Sequence, residues 1–399
     1  MNPDSAMQII KELRAHGHEA YFVGGCVRDM VMKIEPADYD IATSARPEDI
    51  IRIFPRTESI GAQFGVVLVI HRGHPFEVAT FRSDEAYVDG RRPTGVVFTD
   101  ATQDVLRRDF TINGLLYDPL TERVIDYVNG QADIEAKIVR AIGDPHARFE
   151  EDKLRILRAV RFGARLGYTI EPATWDAVRA MAPKIHQVSR ERIREELCRI
   201  LTEGRAAHGL RMLEESGLRA EILPELEVNS HIGQSVGQLR KNAHPDFALA
   251  VLLHHLTLHD VQTIVERLKF SRAEMHHIVA LVENQPRFSE VRQMSVSSLK
   301  RFFRLERFED HLELARIHAV VAGVLPLDAT FAHRKRNEWS DDEIWPQPLV
   351  SGNDLITMGF SPGPRFKEIL TRVEDEQLEG RLSTPEQAME FVRRHFGSA

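Results

Sequence analysis

The chain reads Tyr21-Phe22-Val23-Gly24-Gly25-Cys26-Val27-Arg28-Asp29 near its start, and nine residues after Asp29 comes Asp38-Tyr39-Asp40-Ile41. The apolar run ending in Gly24-Gly25 predicts a strand entering a tight turn, where two glycines let backbone N–H groups approach a phosphate. Arg28 follows as a fixed positive fork suited to phosphate oxygens. Asp38 and Asp40 are two apart, so on a strand Tyr39–Ala42 both carboxylates point to one face. Paired carboxylates beside a phosphate cradle suit metal-assisted phosphoryl transfer. Each piece alone has an ordinary reading, a turn or a solvated acid. The order in which they occur is what carries information.

Working outward, Ala6 to Gly17 reads as a helix and Gly65 to Ile70 as a short buried strand. Phe76-Glu77-Val78-Ala79-Thr80-Phe81 alternates and should pair with it through the turn His71–Pro75. From Arg82 to Gln103 the pattern dissolves, with Gly90, Pro93 and Gly95 inside a charged stretch. A loop of this length in a compact domain is commonly functional. After Asp144-Pro145 the apolar spacing becomes three and four, and helices are expected almost throughout. Ser189 is placed to cap one of them. His333-Arg334-Lys335-Arg336 reads as a solvated basic loop.

The length of 399 residues suggests more than one domain, and a hydrophobic content of 43% with 28% charged residues fits an ordinary globular protein. No apolar run approaches the ~20 residues of a membrane span, and no secretory signal is visible at Met1-Asn2-Pro3-Asp4. Cys26 and Cys198 form no metal-like spacing and fit a reducing cytoplasm. The net charge of −8 argues against a uniformly basic nucleic-acid binder. Between Arg140 and Arg211, however, 15 Lys and Arg stand against 10 Asp and Glu, a basic middle that could meet RNA phosphates.

Taken together, the first motif resembles the nucleotidyltransferase signature of the polymerase-β superfamily. In detail it is similar to the class II tRNA nucleotidyltransferases that add CCA, and to their poly(A) polymerase relatives. The resemblance covers the first ~220 residues and is weaker beyond. It implies an α+β fold: a nucleotidyltransferase head at 1–144, a helical neck at 145–220 binding the base and RNA backbone, and a helical body and tail at 221–399 binding tRNA. Mg2+ would be held by Asp38 and Asp40, and the resemblance puts an acidic residue at Glu77 as a third catalytic carboxylate.

Two further segments match that family. In Arg107-Arg108-Asp109-Phe110-Thr111-Ile112-Asn113-Gly114, Arg108 is the triphosphate candidate, Asp109 the acceptor for a ribose hydroxyl, and Asn113 a contact to sugar or phosphate. Gly24, Gly25 and Arg28 complete the phosphate site. In Glu151-Asp152-Lys153-Leu154-Arg155, Asp152 and Arg155 would share a helix face, either as a simple i,i+3 salt bridge or as the family's template for the incoming base. Cytosine and adenine both offer an amino donor beside a ring-nitrogen acceptor. A carboxylate and a guanidinium match that edge, and uracil and guanine reverse it. Arg158, Arg161 and Arg165 continue a basic stripe with Arg155, part of it facing nucleotide or RNA phosphates and part pairing with neighbouring acids. Asp126–Ile134 and Ser189–Ile193 resemble structural segments of the family.

The expected reaction is addition of C, C and A to the 3′ end of tRNA from CTP and ATP without a nucleic-acid template. The 82–103 loop would be needed mainly for the final A. An enzyme adding only A, a poly(A) polymerase and an RNA-binding protein with an inactive transferase fold remain the alternatives. No protein partner is evident. His254-His255 and His259-Asp260 suggest a phosphohydrolase-type metal motif, but the full pattern of separated His, His-Asp and distant Asp is missing.

Overall fold

The computed structural model describes residues 3–61, 65–84 and 96–397. The chain divides into two compact units, one formed by 1–228 with 239–245 and 264–270, the other by 229–238, 246–263 and 271–399.

The first unit is built on a seven-stranded sheet. Its spatial order is Thr57–Gly61, Val66–His71, His74–Thr80, Ile41–Thr43, Ala20–Val23, Leu115–Asp118, Arg123–Asp126. The hairpin expected at His71–Pro75 is present, with His71 opposite His74. Ile41–Thr43 pairs in parallel with His74–Thr80, aligning Ile41 with Val78, and antiparallel with Ala20–Val23. These two pairings bring the Gly-Gly turn, the Asp38–Asp40 segment and Glu77 to one end of the sheet. On one face, Val23, Ala42 and Leu116 of the strands pack with Phe81, just past His74–Thr80, and with Val105 of the helix Ala101–Leu106. On the other, Phe22 packs against Tyr39 and Tyr117.

Two readings are corrected. The strand starts at Ile41, not Tyr39, so Asp38 and Asp40 precede it in extended chain. The backbone there still meets the sheet, because the Asp40 carbonyl accepts from the Val23 amide. The segment after Arg82 is less formless than its sequence: Arg82–Asp84 and Val96–Phe98 form an antiparallel ribbon, and Asp100 caps the helix Ala101–Leu106. The rest of the loop, 85–95, lies outside the described residues.

Helices follow from Pro145, interrupted only briefly by Thr169–Ile170, which pairs with Ile138–Val139. Leu154–Leu166 is the central one. Gly167, at φ 68°, ends it in the left-handed conformation that glycine adopts without penalty. Ser189 does sit at the N-cap of Arg190–Thr202, although its side chain makes no capping bond.

The second unit is helical. One core gathers Phe288, Phe302, Phe303, Phe308 and Ile344. Another gathers Val350, Leu355, Ile369, Val373 and Val392. His333–Arg336 lies on the helix Leu327–Glu338, not in a loop, and its cations pair with Glu338 and Asp341. Among the described residues, no helix is long and apolar enough to cross a membrane.

Candidate active site

A cavity of about 710 Å³ opens between the sheet end and the helix Leu154–Leu166. Nine arginines and six carboxylates line it, together with Gly24, Gly25, Asn113 and Phe162. Of the site residues singled out from sequence, all but Glu77 line this one cavity.

Gly24 makes the turn. Its φ of 72° with ψ −128° is a backbone state that side-chain-bearing residues rarely adopt, and a Cβ there would meet Arg108 Nη1 at 3.3 Å. The chain then enters the helix Gly25–Val31, which carries Arg28 inward to 2% exposure. Arg28 donates to Asp29 at 2.9 and 2.6 Å and to Asn113 Oδ1 at 2.8 Å. Arg107 and Arg108 both pair with the buried Asp104, at 2.7 and 2.9 Å.

The acids differ in their surroundings. Burial pushes the Asp40 carboxyl up to about 6, the charges of Asp38 and Glu77 add to this, and Arg108 offsets only part. Asp109 is more deeply buried, which also favours its neutral form. Arg158 outweighs this through its charge and hydrogen bonds at 2.9 and 2.6 Å, helped by Arg155 and Asn113, and Asp109 lies at about 2.

Asp109 therefore belongs to a closed circuit of polar contacts. Asp109 accepts from Asn113, Asn113 from Arg28, and Arg28 pairs with Asp29. In the other direction Arg158 approaches Glu196, Arg161 pairs with Glu196 and Glu203, and Arg165 spans Glu203 and Asp29 at 3.8 Å each. The Phe162 ring lies beneath the guanidiniums of Arg28, Arg158 and Arg161, 5.5, 5.3 and 4.2 Å from its centroid. Arg158 and Arg161 take the second reading of the basic stripe, pairing with neighbouring acids while they line the cavity. Arg161 is 3% exposed, and both are held by acids of the protein.

The Asp152–Arg155 expectation is corrected as well. Asp152 is not on the helix with Arg155. It ends the preceding helix Pro145–Glu151 in extended backbone and accepts from the Leu154 amide. Its carboxylate takes a two-pronged bond from Arg192 at 3.2 and 2.7 Å. Arg155 instead pairs with Glu151 at 2.6 Å and donates to the carbonyls of Arg148 and Arg107 at 3.0 and 2.9 Å. The intrahelical salt bridge is therefore absent, and both side chains still face the cavity.

Glu77 is exposed on its strand, and continuation of the parallel register places it beside Asp40. It acts on Asp40 electrostatically. It does not form with Asp38 and Asp40 a set of three ligand atoms within 4.8 Å of one another; among the described residues only three histidines do so. The sequence reading missed Arg192, Arg199, Glu203 and Asp29 as lining residues. Arg192 was legible only as part of a structural segment, because its partner Asp152 is forty residues away.

A sheet end with a Gly-Gly turn, paired aspartates and an arginine-lined cavity defines a nucleotidyltransferase. The family model described as "Poly A polymerase head domain" matches residues 20–140. The RNA and SrmB-binding site of polymerase A matches 167–229, and tRNA nucleotidyltransferase domain 2 matches 241–392. The chain is 34% identical to the CCA-adding enzyme of Levilactobacillus brevis over 97% of its length and 96% of that protein's. It is also 34% identical to that of Streptococcus mutans, over 98% and 96%. The crystal structure of the Bacillus stearothermophilus CCA-adding enzyme in complex with CTP superposes with a TM-score of 0.84, at 30% identity and 99% coverage of both chains. The chain belongs to the CCA-adding enzyme family.

Proposed function

We propose that the cavity binds CTP and ATP in turn and that the enzyme transfers their nucleotidyl groups to the 3′ end of a tRNA, building C, C and A without a nucleic-acid template. One observation carries this reading: the aspartate pair and the Asp152–Arg155 pair line the same cavity, so the reacting phosphate and the base edge can be served together.

Divalent-metal dependence goes with the nucleotidyltransferase class, and the acids fit it. Burial first, and then the charges of Asp38 and Glu77, raise the Asp40 carboxyl to about 6, and Arg108 offsets only part of this. Hard oxygen ligands of this kind suit Mg2+. We assign Asp38 and Asp40 as its ligands and Glu77 as the neighbouring third carboxylate. Asp38 and Asp40 would hold the ion, and its charge would serve to acidify the attacking hydroxyl and to neutralise the leaving pyrophosphate.

The remaining roles fall to the protein. The Gly24-Gly25 turn lets the triphosphate approach the backbone, with Arg108 on its far side. Arg28, engaged with Asp29 and Asn113, fixes the turn and Asn113 and reaches phosphate by exchanging Asp29. Asp109, locked by Arg158, still presents a carboxylate to the ribose, and Arg161 holds the circuit closed. Asp152, oriented by Arg192, accepts from the base amino group, while Arg155 donates to the ring nitrogen. Positioning and charge neutralisation supply most of the acceleration. We assign the head to 1–144, the neck to 145–220 and tRNA binding to the helical body and tail at 221–399, in a cytoplasmic enzyme.

The test offers tRNA lacking CCA to the purified protein with each nucleotide alone and together. CTP alone should add two residues, CTP with ATP should complete CCA, and UTP and GTP should add nothing. Long tails from ATP alone would mark a poly(A) polymerase. Extension only of tRNA already ending in CC would mark an A-adding enzyme. No incorporation at all would leave an RNA-binding protein.

A further inference from the structure

In the second unit, His254 and His255 follow the helix Pro245–Leu253 in a turn, and His318 lies on the helix Phe308–Val321. One ligand nitrogen from each falls within 4.8 Å of the other two. The ring centroids are 3.8 Å apart for His254 and His255, 5.5 Å for His254 and His318, and 5.7 Å for His255 and His318. A tetrahedral cation bound through imidazole separates its nitrogens by about 3.3 Å, and these three already lie within 4.8 Å of one another.

The protonation pattern suits coordination. His254 is 7% exposed, and its Nδ1 lies 2.8 Å from the Val251 carbonyl. That carbonyl fixes the proton on Nδ1 and leaves the lone pair on Nε2. A backbone carbonyl on the second nitrogen is the usual support of a metal-binding histidine. Nε2 is buried with no hydrogen-bond partner, and so is Nδ1 of His318. A buried polar nitrogen left without a partner is costly, and a bound cation would satisfy it. Burial holds His254 at about 4 and lowers His255 and His318, and the neighbouring imidazoles add to this for the first two. All three are therefore neutral ligands near pH 7.

We propose that His254, His255 and His318 bind one late first-row divalent cation, with Zn2+ as the best-suited probe, tying the turn after Pro245–Leu253 to the helix Phe308–Val321. The donor set excludes the ion of the transfer reaction. Mg2+ requires oxygen ligands, whereas an all-imidazole set selects zinc, copper or nickel. A water completes a tetrahedral set. His259 and Asp260, which the sequence suggested as part of a metal motif, are not in the set. His318 could not have been assigned from spacing, because it comes from a separate helix.

The test uses the metal-stripped full chain in excess Mg2+, which occupies the carboxylate site. Co2+ should give the visible absorption of a nitrogen-ligated ion at one equivalent. Zn2+ should displace it and raise the melting temperature. His255 is exposed, so His255→Ala should fold normally and bind Zn2+ at least about tenfold more weakly, as should His318→Ala. The exposed His259→Ala should bind like the parent. Unchanged affinity in His255→Ala and His318→Ala, or no cobalt absorption in the parent, would overturn the site.

Discussion

The cavity has two walls, and each carries an aspartate with the opposite electrostatic fate. On the sheet side Asp40 sits among other acids and holds its proton up to about 6. On the helix side Asp109 is more buried yet lies at about 2, because Arg158 grips it and Arg155 and Asn113 assist. Burial acts in the same direction on both, so the difference comes from the neighbours. The sheet wall holds excess negative charge that only a cation from outside can offset. The helix wall is already neutralised by its own arginines and is a scaffold. The sheet wall keeps its acids uncompensated, and the helix wall holds its acids in place with its own arginines.

Substitution should separate the two walls sharply. Asp38→Asn or Asp40→Asn should reduce nucleotide incorporation at least about 10³-fold with the melting temperature preserved or raised, since only the charge that receives the ion is removed. Near-normal Mg2+-dependent activity in either variant would remove the sheet wall from the chemistry. Asp109→Asn should behave in the reverse sense. It leaves the Arg158 guanidinium without its main partner, and breaking such a pair costs about 3 kcal/mol. Denaturant unfolding should show that loss, and a variant of unchanged stability would mean the circuit is ornamental.

Asp152 and Arg155, the pair proposed to read the base, should show a smaller effect. Asp152→Ala or Arg155→Ala should lower the preference for CTP over UTP by about 10–100-fold, more than it weakens triphosphate binding. Arg192→Ala should do the same in part, because Arg192 orients the Asp152 carboxylate. If selectivity survives in all three, these side chains only hold the neck together.

The sequence disclosed the sheet wall better than the helix wall, for a physical reason. Gly24-Gly25 and Asp38-x-Asp40 are local patterns, a turn and an extended segment leading into a strand, whose geometry is set within a few residues. The hairpin at His71–Pro75 and the helices after Pro145 were legible on the same grounds. The partners on the helix wall were not, because Arg158 meets Asp109 and Arg192 meets Asp152 across forty or more residues. Spacing alone therefore paired Asp152 with the nearest arginine three residues on, while the end of the helix at Glu151 turns it elsewhere. The ribbon flanking 85–95 was missed because Arg82–Asp84 and Val96–Phe98 are three residues each, too short to show alternation.

The last contrast between the walls is in how pH acts on stability. Asp40 has its carboxyl at about 6 in the fold and near its ordinary value of about 3.9 in the unfolded chain. Between those values the folded state holds more protons than the unfolded one, so Asp40 makes stability fall as pH rises. Below about pH 4 it contributes nothing, and above about 6 its full penalty applies, on the order of 1–3 kcal/mol. Asp109 is silent across this window, since its carboxyl stays charged until pH approaches 2 and its stabilisation is lost only below about 4. Asp40→Asn removes the Asp40 penalty. In metal-free buffer at pH 7.5 that variant should therefore melt above the parent, and the gap should close on acidification to pH 4. Carboxylates remote from Asp40 contribute equally to both curves, so their difference isolates Asp40 and the acids whose charges act on it. Adding Mg2+ at pH 7.5 should stabilise the parent and leave the variant nearly unmoved. A gap that persists at pH 4 would mean that the amide in place of the carboxyl gains by packing, and the sheet wall would then carry no uncompensated charge.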